Sequence, residues 1–128
     1  KRDWGHAKDY VEAMWRMLQQ KTPGDYILAT GEQHSVREFV ELAFSEIDIN
    51  IIWVGKGTEE KGLDEKSGRI LVEIDPRYFR PTETDILLGD PTKAQKILNW
   101  QHTTSFTQLI HEMVTYDIDL LKVKMNGQ

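Results

Sequence analysis

The 128-residue chain is one domain's worth of polypeptide, enough to bury a core and too short to hold two full domains side by side. Its 39% apolar and 29% charged residues, with four each of Trp, Tyr and Phe, exclude the disordered class, and no apolar run reaches the roughly 18 residues of a membrane span. A net charge of −5 argues against bulk nucleic-acid or anionic-membrane binding, while the lack of cysteine removes disulfides, thiolate zinc sites and thiol nucleophiles together.

Lys1-Arg2-Asp3-Trp4 runs without an initiator Met almost straight into a helical pattern, as expected of a piece of a longer polypeptide. Tyr10, Val11, Met14, Trp15 and Leu18, three and four apart, predict an amphipathic helix from Asp9 to Gln20, broken by Pro23-Gly24. Tyr26 to Ala29 reads as a short buried strand. Ser35-Val36-Arg37-Glu38 is a capping box, and Phe39, Val40, Ala43, Phe44 and Ile47 give the following helix its apolar face. Ile49 to Val54 and Arg69 to Ile74 predict two strands, with the charged, Gly-rich stretch from Gly55 to Gly68 as a solvated hairpin loop between them. Asp75 to Glu83 reads as an extended segment held open by Pro76 and Pro81. Asp90-Pro91 starts a helix whose buried side carries Ala94, Ile97, Leu98 and Trp100. Ser105 to Gln108 repeats the capping box ahead of a long terminal helix, with residues 122–128 expected to fray. The fold class is therefore a small α/β unit, mainly helical with a few short strands that cannot form a self-sufficient parallel sheet.

Few residues suit chemistry. There is no P-loop, GxGxxG, GxSxG or HExxH, and His6, His34, His102 and His111 are scattered, so no catalytic or metal-ligating set is assigned. Two clusters stand out. Arg2-Asp3-Trp4 precedes the first helix, and Arg77, Tyr78, Arg80 and Glu83 share one Pro-bounded segment. A guanidinium matches phosphate oxygens bidentately, and rigid presentation lowers the ordering cost of binding, which suits a nucleotide diphosphate. An equally open reading pairs Arg77 and Arg80 with surface acids, of which the chain has 21 Asp and Glu to offer.

These strings resemble a known family. Arg2 to Val11, Arg80-Pro81-Thr82-Glu83, Gly89 to Ala94 and Leu98-Asn99-Trp100 resemble the substrate-binding region of extended short-chain dehydrogenase/reductases, and Lys1 to Trp15, Ala29 to Val40 and Asp75 to Glu83 are similar to the GDP-mannose 4,6-dehydratases among them. The resemblance covers the chain to about Asp117 and makes residues 1–121 a C-terminal sugar-nucleotide-binding region. It implies that Arg2 and Arg80 clamp the GDP-mannose diphosphate, with Arg77 and Tyr78 beside them, and that Glu83 bonds the ribose. Asn99 stands where the family usually has Gly, which concerns the helix end alone. None of Tyr10, Tyr26, Tyr78 or Tyr116 is followed by Lys four places on, so the family's Tyr-x-x-x-Lys pair is missing. On this resemblance NADP and the catalytic groups belong to an N-terminal Rossmann domain, and the full enzyme is a cytoplasmic, homo-oligomeric lyase making GDP-4-keto-6-deoxymannose. This chain alone would bind no cofactor and be inactive. Two alternatives stay open: a stand-alone interaction or scaffold module of the same fold, and part of another sugar-nucleotide epimerase or reductase.

Overall fold

The computed structural model describes residues 1–80 and 88–126, with the backbone alone at residue 126. Four helices and a three-stranded sheet follow in the order α1 (Ala7–Leu18), α2 (Val36–Ser45), β1 (Ile51–Val54), β2 (Lys61–Asp64), β3 (Ile70–Glu73), α3 (Thr92–Leu98) and α4 (Phe106–Asn126). The result is a small α/β domain, and no described helix is long and apolar enough to cross a membrane.

α1 begins two residues earlier than the sequence pattern predicts, because the cap is His6, whose Nδ1 accepts the Lys8 amide at 3.0 Å. Asp9 turns inward instead and is only 2% exposed. Its carboxylate accepts the Thr103 hydroxyl at 2.7 Å and the Thr104 amide at 3.1 Å, and its carbonyl accepts the Trp100 indole N–H at 2.8 Å. A buried anion is tolerable only when hydrogen-bonded in this way. Burial pushes the Asp9 pKa up, but the bonds from Thr103 and Thr104 outweigh it and hold the group below the ordinary carboxylate value.

α1 packs on α3 through Ala13, Ala94, Leu98 and Trp100, with Tyr10, Met17, Tyr26 and Leu28 partly buried against them. Ile97, expected on the buried side, is about half exposed. Asn99 ends α3 in the left-handed region at φ 49°, which Asn adopts more readily than other side chains bearing a Cβ, so its replacement of Gly is absorbed at the helix end. Arg16 then donates to the Leu98 carbonyl at 3.2 Å and to the Asn99 carbonyl, satisfying oxygens the helix leaves open. A second cluster joins α2 to α4. Trp4 lies 5.5 Å from Phe39 and 5.6 Å from Phe106 between ring centroids, and the His34 ring stacks on Phe106 at 3.8 Å. Both capping boxes form, Ser35 with Glu38 at the start of α2 and Ser105 with Gln108 ahead of α4. α4 continues past Lys122 to Asn126, and of its described side chains only Phe106 and Ile110 are buried.

The structure corrects three expectations. The stretch from Gly55 to Gly68 is not a hairpin loop: it contains a 3-10 turn at Gly57–Glu59 and the central strand β2, so the sheet is an antiparallel meander β1-β2-β3. β2 is hidden in the sequence because its buried position is Gly62, where an added Cβ would meet Ile51, Trp53 and Val72 at 3.1 to 3.2 Å; neighbouring side chains fill that space. Residues 26–29 lie in no ladder among the described residues, with Ile27 57% exposed, so they are not a buried strand. Residues 75–79 are turned rather than extended. Tyr78 N–H bonds the Asp75 carbonyl at 3.0 Å and Arg77 N–H bonds the Asp75 carboxylate at 2.9 Å, the ordinary use of Asp-Pro at the head of a turn. One smaller shift concerns α3, which starts at Thr92, with Asp90 accepting the Thr92 amide at 3.0 Å from one place further out than expected.

Candidate functional site

The predicted residues fall into two places. Arg2 is fastened by backbone to the loop ahead of α2: its N–H donates to the His34 carbonyl and its carbonyl accepts the His34 N–H, both at 2.9 Å. Beside it, Asp3 accepts the Thr30 amide at 3.0 and 3.1 Å, the Thr30 hydroxyl at 2.7 Å and the Gly31 amide at 3.0 Å. Gly31 sits at φ +82°, where a residue with a Cβ is strained, and this turn helps aim two successive amides at one carboxylate.

Arg2 and Asp3 line an open cavity of about 300 Å³ together with Tyr10 from α1, Ile27, Ala29 and Gly89. At Gly89 a Cβ would stand 2.5 Å from that of Ala29, so the chain passes there only as glycine. The Tyr10 hydroxyl is raised above its ordinary pKa, first by burial and then by the charges of Asp3 and Asp9. It is therefore a neutral donor at the cavity. Asp3 and Tyr10 belong to the Arg2 to Val11 string that stands out in the sequence, but neither is among its candidate site residues; the pairing of Asp3 with Thr30, 27 residues on, leaves no local pattern.

Arg77, Tyr78 and Arg80 are not among the described residues lining this cavity. Arg77 pairs with Asp75 at 2.6 Å and lies over the Tyr78 ring at 5.5 Å, and Tyr78 is 76% exposed. The Asp75 bond raises the Arg77 pKa, and the same contact lowers that of Asp75. For Arg77 this is the surface ion pair that the sequence reading kept open. Arg80 is exposed at the end of the same turn, and Glu83 lies outside the described residues.

A larger groove of about 890 Å³ runs along α4 between Glu46, Thr103, His111 and Asp119. It contains none of the predicted residues. Across or beside it, His111 pairs with Glu46 at 2.6 Å and His6 with Glu112 at 3.2 Å, contacts that tie α4 to the end of α2 and the start of α1. No group of three or more metal-ligating side chains occurs among the described residues.

Residues 1–113 match the family model described as GDP-mannose 4,6 dehydratase. The chain belongs to the GDP-mannose 4,6-dehydratase family. It is 61% identical over 122 residues to a GDP-mannose 4,6 dehydratase of Dictyostelium discoideum, covering 95% of this chain and 34% of that protein. The Drosophila melanogaster relative is 56% identical, at 95% and 31% coverage, and the Homo sapiens relative 52% identical, at 99% and 34%. The chain thus spans about a third of the length of the curated GDP-mannose 4,6-dehydratases it matches. Arg2, Arg77, Tyr78, Arg80 and Glu83 all fall within the matched stretch.

Proposed function

We propose that this chain is the GDP-sugar-binding portion of a GDP-mannose 4,6-dehydratase of extended short-chain dehydrogenase/reductase architecture, a lyase that converts GDP-mannose to GDP-4-keto-6-deoxymannose. The observation that carries the reading is the cavity walled by Arg2 and Asp3, built from the string Arg2 to Val11 that resembles the family's substrate-binding region. Arg2 reaches the diphosphate from this wall. Arg80, on the turn after β3, supplies the second guanidinium, and Glu83 takes the ribose hydroxyl; Arg77 and Tyr78 flank them. High identity to several GDP-mannose dehydratases supports this reading over an epimerase or reductase.

The residues present do not fit NADP. The described sheet is an antiparallel meander with no βαβ crossover, the starts of α1, α2 and α4 are met by the chain's own caps His6, Ser35 and Ser105, and the first amide of the short α3 is taken by the Asp90 carboxylate. On the family resemblance, cofactor and reacting groups belong to an N-terminal Rossmann domain, and this chain holds and orients the nucleotide. α1 offers a surface for that domain: Val11, Met14, Trp15 and Leu18 form one stripe at helical spacing, each more than half exposed.

Equilibrium titration with GDP and GDP-mannose tests the reading. The chain binds GDP weakly, Arg80→Ala weakens it about tenfold by removing one charge-assisted contact, and no GDP-mannose is turned over. Binding by Arg80→Ala equal to that of the parent would remove the clamp.

A further inference from the structure

Resting on the diphosphate reading just given, we propose that Asp3 is the positioning residue of this site, acting through Arg2. A long cation contributes to phosphate recognition only where its root is held, because the side chain otherwise spreads over many rotamers and the ordering cost consumes the contact. Here the root is held twice. On one side Arg2 exchanges two backbone hydrogen bonds with His34, whose ring is itself stacked on Phe106 and bonded to Glu38 at 2.9 Å. On the other side the Asp3 carboxylate gathers three donors, the Thr30 amide, the Thr30 hydroxyl and the Gly31 amide. Thr30 is fixed in turn, its hydroxyl oxygen accepting the Glu32 amide at 3.1 Å.

The carboxylate is specific to this task. Two backbone amides and a hydroxyl all donate, so the group they meet must accept at both oxygens, which an amide side chain cannot do. In Asp3→Asn the carboxamide nitrogen either meets the Gly31 N–H and loses that bond, or faces Thr30, whose hydroxyl must then turn to accept, and either way the contact between residues 2–3 and residues 30–31 is rearranged. That rearrangement moves the cavity wall from which Arg2 extends.

A double-mutant cycle read by NMR titration with GDP tests the proposal in this chain. Arg2→Ala, Asp3→Asn and the double variant are compared with the parent, and amide spectra verify that each is folded. The expected result is that Asp3→Asn weakens GDP binding about tenfold and that the double variant binds no more weakly than Arg2→Ala alone, because Asp3 acts only through Arg2. Thr30→Ser, which keeps the hydroxyl, binds as the parent does. Thr30→Val removes the hydroxyl's bond to Asp3 together with the one it accepts from the Glu32 amide, keeps the Thr30 and Gly31 amides on Asp3, and carries the test if Asp3→Asn does not fold, with the same expected dependence on Arg2. Losses that add in the double variant, or an Asp3→Asn variant that binds like the parent while Arg2→Ala is impaired, would overturn the positioning role alone. No binding by the parent at millimolar GDP, or no effect of Arg2→Ala, would instead overturn the diphosphate reading.

Discussion

Asp9 shows how much one side chain holds together, since it joins α1 to the loop ahead of α4 through Thr103, Thr104 and Trp100. Asp9→Ala leaves the buried Thr104 amide without its partner and costs about 1–3 kcal/mol, measurable by urea unfolding. The pH dependence follows from the lowered pKa. A carboxyl more acidic in the folded than in the unfolded chain contributes stability that is present above its ordinary value of 3.8 and is lost as pH falls through the lower folded value. Unfolding free energy therefore declines below about pH 4. The decline is shallower in Asp9→Asn. At the neighbouring core position, Trp100→Ala costs about 3–5 kcal/mol, because a fully buried indole leaves a cavity and its bond to the Asp9 carbonyl is lost.

At the scale of elements, features set within a few residues were legible and those set by distant partners were not. The capping boxes at Ser35 and Ser105 depend on positions three apart, and both form as the pattern requires. Ser35→Ala should cost about 1 kcal/mol, read as a lowered thermal midpoint. β2 escaped notice because Lys61-Gly62-Leu63-Asp64 shows no apolar alternation; its place depends on the strands either side. Gly62→Ala presses a methyl against Ile51, Trp53 and Val72, and a destabilisation of about 1–3 kcal/mol is the expected outcome of such overpacking. Residues 26–29 carry a strand's composition but pair with nothing described, since composition cannot supply a neighbour. Asp9 reads as a helix start for the same reason: its true partners are 94 and 95 residues away.

Taken whole, the described residues form two small cores, α1 with α3 and α2 with α4, and several large apolar side chains lie outside them. Trp15 and Leu18 are 61% and 82% exposed, so charge substitutions there change this chain's stability by less than about 0.5 kcal/mol while raising its solubility. The candidate site divides the same way. Arg2 was legible from its string and lines a cavity, whereas Asp3, which roots it, needed the fold to be seen. On the proposed reading the ligand sits at this smaller cavity and not in the larger groove on α4. Amide shift mapping with GDP-mannose compares the two directly. The largest shifts are expected at Arg2, Asp3, Thr30, Gly31 and the turn from Arg77 to Arg80; shifts concentrated between Thr103 and Asp119, or none at saturating ligand, would place the ligand elsewhere and overturn the proposed site.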